Sequence, residues 1–203
     1  MKVVSINLYN IDELKAGHTI EAKKFTYHYE HSNTVILDSE SDILYNISKE
    51  LKRIYNEICY ELEKEGYKYI TVAASQSIND EGWNYRGRYS HKAIARQSGL
   101  GSIGNSALFL HKEYGTRVRL GTIFTDCPFE NPVQLPPNPC ANCNVCKEMC
   151  PSGAISGKAW QPGMEREEFF NADKCSNHMK KRYKHIGRGA VCGLCIKYCP
   201  MNK

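Results

Sequence analysis

Eight of the ten cysteines in this 203-residue chain fall between residues 140 and 199. Their spacing is the part of the sequence most able to do chemistry. Cys140-Ala-Asn-Cys143-Asn-Val-Cys146-Lys-Glu-Met-Cys150-Pro151 is a C-x2-C-x2-C-x3-C-P run. Three cysteines at intervals of three can wrap a loop round one iron–sulfur cube, offering soft thiolates to soft iron. The fourth, followed by proline, points away and ligates a second cube. That second cube needs thiolates of its own, and Cys192-Gly-Leu-Cys195-Ile-Lys-Tyr-Cys199-Pro200 repeats the end of the motif. Cys175 is the one unassigned cysteine left in this part of the chain. The expected assignment is one [4Fe-4S] cluster on Cys140, Cys143, Cys146 and Cys199, and another on Cys150, Cys175, Cys192 and Cys195.

The alternative is structural zinc, because C-x2-C pairs also build zinc ribbons. The x3-Cys-Pro ending used twice, with crossing ligands, favours iron–sulfur over zinc. The N-terminus, MKVVSINLYNIDELK, has neither a signal-peptide apolar run nor a twin-Arg pair. No stretch approaches the roughly 18 consecutive apolar residues of a membrane span. A cytoplasmic location with no membrane partner is expected. Thiols there stay reduced, and clustered cysteines bind metal more often than each other.

These ligands have to be positioned by elements, and the sequence suggests two domains. A composition of 41% hydrophobic and 24% charged residues excludes collagen, coiled coil and wholesale disorder. Five of the eight prolines lie in Cys127–Pro139, which reads as an extended connector. The expected domains are therefore 1–130 and 131–203. In the first, Leu44, Ile47, Leu51, Ile54, Ile58 and Leu62 recur at helical steps, with Ser41 as a cap and Gly66 as a stop. Cys59 beside that stripe is expected to be core. Residues 69–74 read as a strand and 90–98 as a helix. Residues 107–110 and 117–124 read as two strands joined through Gly115. The fold class expected is α+β, a helix against a small antiparallel sheet.

Gly99-Leu-Gly101-Ser-Ile-Gly104 is literally G-x-G-x-x-G. A dinucleotide fingerprint needs a strand before it and a helix after it. Here the order is reversed, which excludes a Rossmann turn. The glycines then serve a tight turn or a close approach to a ligand. The segment from Ser90 to Gly104, His-Lys-Ala-Ile-Ala-Arg-Gln-Ser-Gly-Leu-Gly-Ser-Ile-Gly after its first serine, resembles the A-R-x-A-G-L-G-W-I-G-K segment of the epoxyqueuosine reductase family. Glu113-Tyr-Gly115, Arg119–Asp126 and the double cysteine set continue the resemblance to about residue 200. It is to shorter double-cluster relatives of that reductase. With three residues after Pro200, a C-terminal helical-repeat tRNA module is not expected.

The resemblance implies a nitroreductase-like N-terminal domain and a C-terminal bacterial-ferredoxin-like two-cluster domain. It also implies a cofactor, cobalamin in preference to FMN, of the kind used by corrinoid-dependent reductive dehalogenases. Ferredoxin or flavodoxin would supply the electrons, a small-molecule or corrinoid ligand would receive them, and a homodimer is one assembly to expect. The family's aspartate proton donor falls at Tyr85, its lysine after the last glycine at Asn105 and its tryptophan at Ser102. Tyr85 is thus a candidate proton donor, although a phenol needs a nearby cation to act near neutrality. His91 is a candidate contact for phosphate or carboxylate, and Gly99, Gly101 and Gly104 are candidates for a cofactor-binding turn. Two functions remain open: a reductase that passes electrons to a cofactor in the first domain, and a non-catalytic electron carrier with a docking domain.

The formal charge of +5, from 27 Lys or Arg against 22 Asp or Glu, invites a nucleic-acid reading. However, residues 173–203 hold eight Lys or Arg and one acid, so the excess sits at the metal-binding end. Each oxidised cluster with four thiolates carries about −2, which the excess offsets. Nucleic acid is accordingly not expected as a partner.

Overall fold

The computed structural model describes residues 2–10, 24–29, 40–73, 85–128, 135–186 and 191–202, with side chains described from residue 52 onward. It divides into two compact units, Met1–Leu100 with Val118–Leu135, and Gly101–Arg117 with Pro136–Lys203. The proline run suggests a single boundary near residue 130. The division found is discontinuous, because Gly101–Arg117 groups with the cysteine-bearing segment.

The first unit holds β1 (Lys2–Asn10), β2 (Lys24–Tyr29), α1 (Glu40–Lys64), β3 (Tyr69–Val72), α2 (His91–Gln97) and β6 (Val118–Thr125). Its four strands run in the order β2-β1-β6-β3. β1 pairs antiparallel with β2 but parallel with β6, and β3 pairs antiparallel with β6. The sheet is therefore mixed rather than antiparallel. From Leu120 to Thr125 every residue of β6 is buried, as a central strand requires. Ile123 of β6 packs with Ile54, Cys59 and Leu62 of α1, with Ile58 against them, which bears out the second half of the stripe and the core role of Cys59. The side chains of Leu44, Ile47 and Leu51 lie outside the described residues.

Helix α1 starts one residue before Ser41, so the expected cap lies inside it. At the other end, the Tyr67 N–H donates to Leu62 O at 2.9 Å and the Gly66 N–H to Glu63 O at 3.0 Å. With Gly66 at φ +81°, this is a Schellman stop, as its position in the sequence implies. Tyr55 extends from α1 onto the sheet. Its hydroxyl donates to Val72 O at 2.8 Å and accepts from the Thr122 N–H at 2.6 Å, joining β3 to β6. A Cβ on Gly121 would lie 2.5 Å from that hydroxyl, so only glycine admits the ring. Burial pushes the phenol up to about 12, and the Thr122 backbone bond only partly opposes it.

The second unit holds β4 (Gly101–Ile103), β5 (Phe109–His111), α3 (Val145–Glu148), α4 (Arg166–Phe169), α5 (Ala172–Arg182) and α6 (Leu194–Lys197). The expected hairpin of 107–110 with 117–124 does not form. β5 pairs with β4, and β6 belongs to the other sheet. Gly115 does make a turn, closed by reciprocal backbone bonds with His111 of 3.0 and 2.8 Å, but the chain then leaves the ribbon. Among the described residues no helix is long and apolar enough to cross a membrane.

Candidate metal centres

The two cysteine runs fold as structural copies. After Asn144, the N–H groups of Lys147 and Glu148 donate to Asn144 O, that of Met149 to Val145 O and that of Cys150 to Lys147 O. After Gly193, the N–H groups of Ile196 and Lys197 donate to Gly193 O, that of Tyr198 to Leu194 O and that of Cys199 to Ile196 O. Each run is one helical turn, α3 or α6, ending at a Cys-Pro pair. The copies even continue past the proline, with Gly153 N–H on Cys150 O and Asn202 N–H on Cys199 O. One turn separates Cys146 from Cys150 and Cys195 from Cys199, so the two thiols of each pair can serve different sites.

The structure brings the cysteines into two groups. Cys140, Cys143, Cys146 and Cys199 line one cavity, closed by Ser106, Leu110, Pro139, Pro200 and Met201. Cys150, Cys175 and Cys192 each lie near enough to Cys195 to raise its proton affinity electrostatically. The displaced Cys175 reaches this group through a short strand-like bridge. Ile155 pairs with Phe170, and the Asn171 N–H donates to Ala154 O at 2.8 Å. Cys150 lies five residues before that bridge and Cys175 five after it, so the pairing brings the two thiols together. Asn171 then caps α5 through its side chain, which accepts from the Lys174 N–H at 2.8 Å.

Burial and mutual proximity set the proton affinity of these thiols. Burial first, then the neighbouring sulfurs, push Cys146 and Cys195 up to about 11, and push Cys140 and Cys175 up as well. Cys150 differs. Burial raises it, but the Ser152 hydroxyl and the backbone N–H groups of Ser152, Ala154 and Ile155 hydrogen-bond its sulfur and bring the net shift down. Among the described residues no three His, Cys, Asp or Glu side chains converge closely enough to hold a single metal ion. A lone zinc draws its sulfurs to about 2.3 Å from one point. Four thiolates are the donor set of either a zinc site or a [4Fe-4S] cluster, and the crossed x3-Cys-Pro spacing favours the cluster.

The glycine segment braces the first of these loops. Gly99 sits at φ +67° and ends α2, with the Leu100 N–H on Ala95 O and the Gly99 N–H on Arg96 O. Gly101 lets β4 close on β5, since a Cβ there would lie 1.9 Å from Leu110 O. At Gly104 a Cβ would meet Leu110 Cδ1 at 2.7 Å and Cys140 Sγ at 3.3 Å. Asn105 follows, and sequence reasoning gave it no role. Its Nδ2 donates to both Cys140 O and Cys143 O at 3.1 Å, and its backbone N–H bonds the Cys140 sulfur. Thr116 makes the matching tie to the second run. Its N–H and hydroxyl donate to Asn202 Oδ1 at 2.8 and 2.9 Å. Asn138 Oδ1 accepts the Cys140 N–H at 2.9 Å. The Asn105 bonds and the Thr116–Asn202 tie explain why Gly101–Arg117 groups with the cysteines.

The remaining candidates lie in the first unit. Tyr85 is at φ +58° and 42% exposed. Ser90 caps α2, and His91 opens it with both ring nitrogens engaged: Nδ1 on Thr122 Oγ1 at 2.7 Å and Nε2 on Ala73 O at 3.1 Å. The carbonyl can only accept, so Nε2 carries the proton and Nδ1 accepts from the Thr122 hydroxyl. Burial first, then the Arg119 charge, hold His91 below the ordinary histidine range, against the opposing Ala73 bond. The pattern is that of a neutral histidine joining a helix start to the sheet.

Residues 139–202 match the 4Fe-4S double cluster binding domain family. Over 117 residues the chain is 29% identical to the epoxyqueuosine reductase of Staphylococcus aureus, covering 58% of this chain and 30% of that protein. It is 31% identical over 119 residues to that of Gloeobacter violaceus, covering 57% of this chain and 37% of the relative. The chain thus spans about a third of the length of the curated relatives it matches. A crystal structure of epoxyqueuosine reductase with an epoxyqueuosine-modified tRNA stem loop shares the fold, with a TM-score of 0.52 and 21% identity over 75% of this chain and 38% of that one. That neighbour holds RNA, so the charge argument against nucleic acid does not stand as an exclusion. Residues 139–202 thus match a double [4Fe-4S] cluster binding family, and over more than half its length the chain is similar to about a third of the epoxyqueuosine reductases.

Proposed function

We propose that the protein is an iron–sulfur oxidoreductase that receives single electrons at its two-cluster unit and delivers them to an acceptor held by the first unit. The observation that carries this reading is the gathering of eight cysteines into two crossed quartets. Cys140, Cys143, Cys146 and Cys199 would hold one cluster, and Cys150, Cys175, Cys192 and Cys195 the other. Bound clusters supply one-electron transfer at low potential. The chain supplies the rest. Asn105 and Asn138 fix the first ligand loop, the Thr116–Asn202 tie fixes the second, and Leu110, Pro139, Pro200 and Met201 line the first quartet's cavity.

The acceptor follows from the resemblance: a cobalamin, ahead of FMN, in a nitroreductase-like first domain. Tyr85 would be the proton donor at the position of the family's aspartate. His91, its nitrogens committed to Thr122 and Ala73, would position α2 and the Gly99–Gly104 turn. The donor would be an acidic ferredoxin or flavodoxin, drawn by the exposed Lys180, Lys181 and Arg182 of α5. Hydroxocobalamin added to the reduced, anaerobically purified protein separates this enzyme from a plain carrier. A cob(II)alamin-like spectrum with saturable micromolar binding supports the enzyme. Absence of corrinoid and flavin binding supports the carrier.

A second reading, that the substrate is RNA, has one observation in its favour: the similar fold solved with a modified tRNA stem loop. A tRNA mobility shift that persists at 150 mM salt supports it, whereas a shift that vanishes there reflects charge alone.

A further inference from the structure

The two cysteine runs superimpose residue for residue in their backbone bonding, so each residue of one has a counterpart in the other. Two places after the last cysteine the counterparts differ in chemistry. Ser152 stands there after Cys150, and Met201 stands there after Cys199. Ser152 Oγ lies 3.3 Å from Cys150 Sγ. A thiolate that binds metal has no proton to give, so the hydroxyl is the donor. The chain beyond Ser152 curls back as well, and the N–H groups of Ala154 and Ile155 reach the same sulfur. Met201 has no hydrogen to donate and instead lines the cavity of the other quartet with Ser106, Leu110, Pro139 and Pro200.

We propose that this one repeat position makes the two centres electronically unequal: Ser152 holds the Cys150/Cys175/Cys192/Cys195 centre at the higher reduction potential, and Met201 leaves the Cys140/Cys143/Cys146/Cys199 centre at the lower. The proposal rests on the two-cluster reading above and adds an order of filling to it. Reduction places one electron on a cluster with no bond made or broken, and takes the cluster with its four thiolates from about −2 to about −3. Hydrogen bonds to the sulfurs favour the more negative state, and an apolar lining disfavours it. At this position both differences act in the same direction. Among the described residues the other quartet keeps only backbone bonds to its sulfurs, from Asn105 to Cys140 and from Lys147 to Cys146, against the Ser152 hydroxyl and three backbone N–H groups on Cys150. The basic last turn of α5, the helix that carries Cys175, adds to them with the same sign. The first electron given to the oxidised protein therefore settles on the Cys150 side.

The test is a dye-mediated reductive titration of the anaerobic holoprotein, followed by EPR, with iron counted in each sample. Dithionite is the reductant. The wild type should show two separated midpoints. Ser152→Ala should lower the higher midpoint and leave the other in place, and Ser152→Thr, which keeps the hydroxyl, should restore it. Met201→Ser, which puts a hydroxyl into the other copy, should raise the lower midpoint and narrow the gap. With about eight irons present, coincident wild-type midpoints overturn the proposal. So does a Ser152→Ala variant whose higher midpoint stays put, or a Met201→Ser variant whose lower midpoint stays put. A wild-type chain that carries no labile iron overturns the two-cluster reading itself, and this inference with it.

Discussion

Replacing Asn105 by alanine removes the side chain that pins the first ligand loop. Asn105 is 2% exposed, and its Nδ2 donates to Cys140 O and Cys143 O. A net hydrogen bond is worth about 1 kcal/mol when water can reach the stranded partner, and about 1–3 kcal/mol when it cannot. Both cysteines are only half-buried, so the lower value applies to each and about 2 kcal/mol to the pair. Part of that returns, because Asn105 Oδ1 is buried without a hydrogen-bond partner among the described residues. A net cost of about 1–2 kcal/mol makes opening of the loop roughly 5- to 30-fold more frequent. The assay follows the holoprotein's absorption near 400 nm under excess ferrous chelator. Bleaching should accelerate by that factor, and faster still for Asn105→Asp, whose carboxylate would face two carbonyl oxygens. Bleaching at the wild-type rate in Asn105→Ala, or slower loss from the aspartate variant than from alanine, would refute the brace.

Two glycines should respond to alanine in opposite degrees. Gly101→Ala places a Cβ 1.9 Å from a backbone oxygen and should cost on the order of 3 kcal/mol or more, read as a large drop in urea midpoint. Gly66→Ala meets nothing within 4 Å and should cost only the left-handed backbone penalty, about 1–2 kcal/mol. His91 gives a pH dependence. Its folded value lies below the unfolded one near 6.5, so its contribution is present above about pH 6.5 and is lost as pH falls. The urea midpoint should therefore decline more between pH 7.5 and 5.5 in the wild type than in His91→Phe. Equal declines would show that His91 protonates as readily in the fold as outside it.

The metal centres were legible because cluster ligation imposes a spacing along the chain. The C-x2-C-x2-C-x3-C-P run suggests which thiol would face which cube, and Cys175 was assigned by elimination. Helix α1 and its Gly66 stop were legible through periodicity and a single permissive residue. The sheet was not. Strands β5 and β6 are adjacent in sequence, and the Gly115 turn between them looks like a hairpin, yet its closure stops at His111. What decides the pairing is remote: β1 lies more than a hundred residues from its parallel partner β6, and Thr116 is bound to Asn202. Residues such as Asn105 and Ser152 carry no motif. Their signal was positional, a polar side chain directly after Gly104 and a hydroxyl where the repeated run has Met201. Tyr85 and His91 were chosen by resemblance and by helix position. The structure shows His91 tied to Thr122 and Ala73.

The central claim is that the eight cysteines hold two iron–sulfur cubes. Iron, acid-labile sulfide and zinc measured in one anaerobically purified sample test it most directly. About eight irons and eight sulfides per chain, with negligible zinc, is the expected result. One or two zinc ions per chain, no labile sulfide and a colourless solution would contradict it.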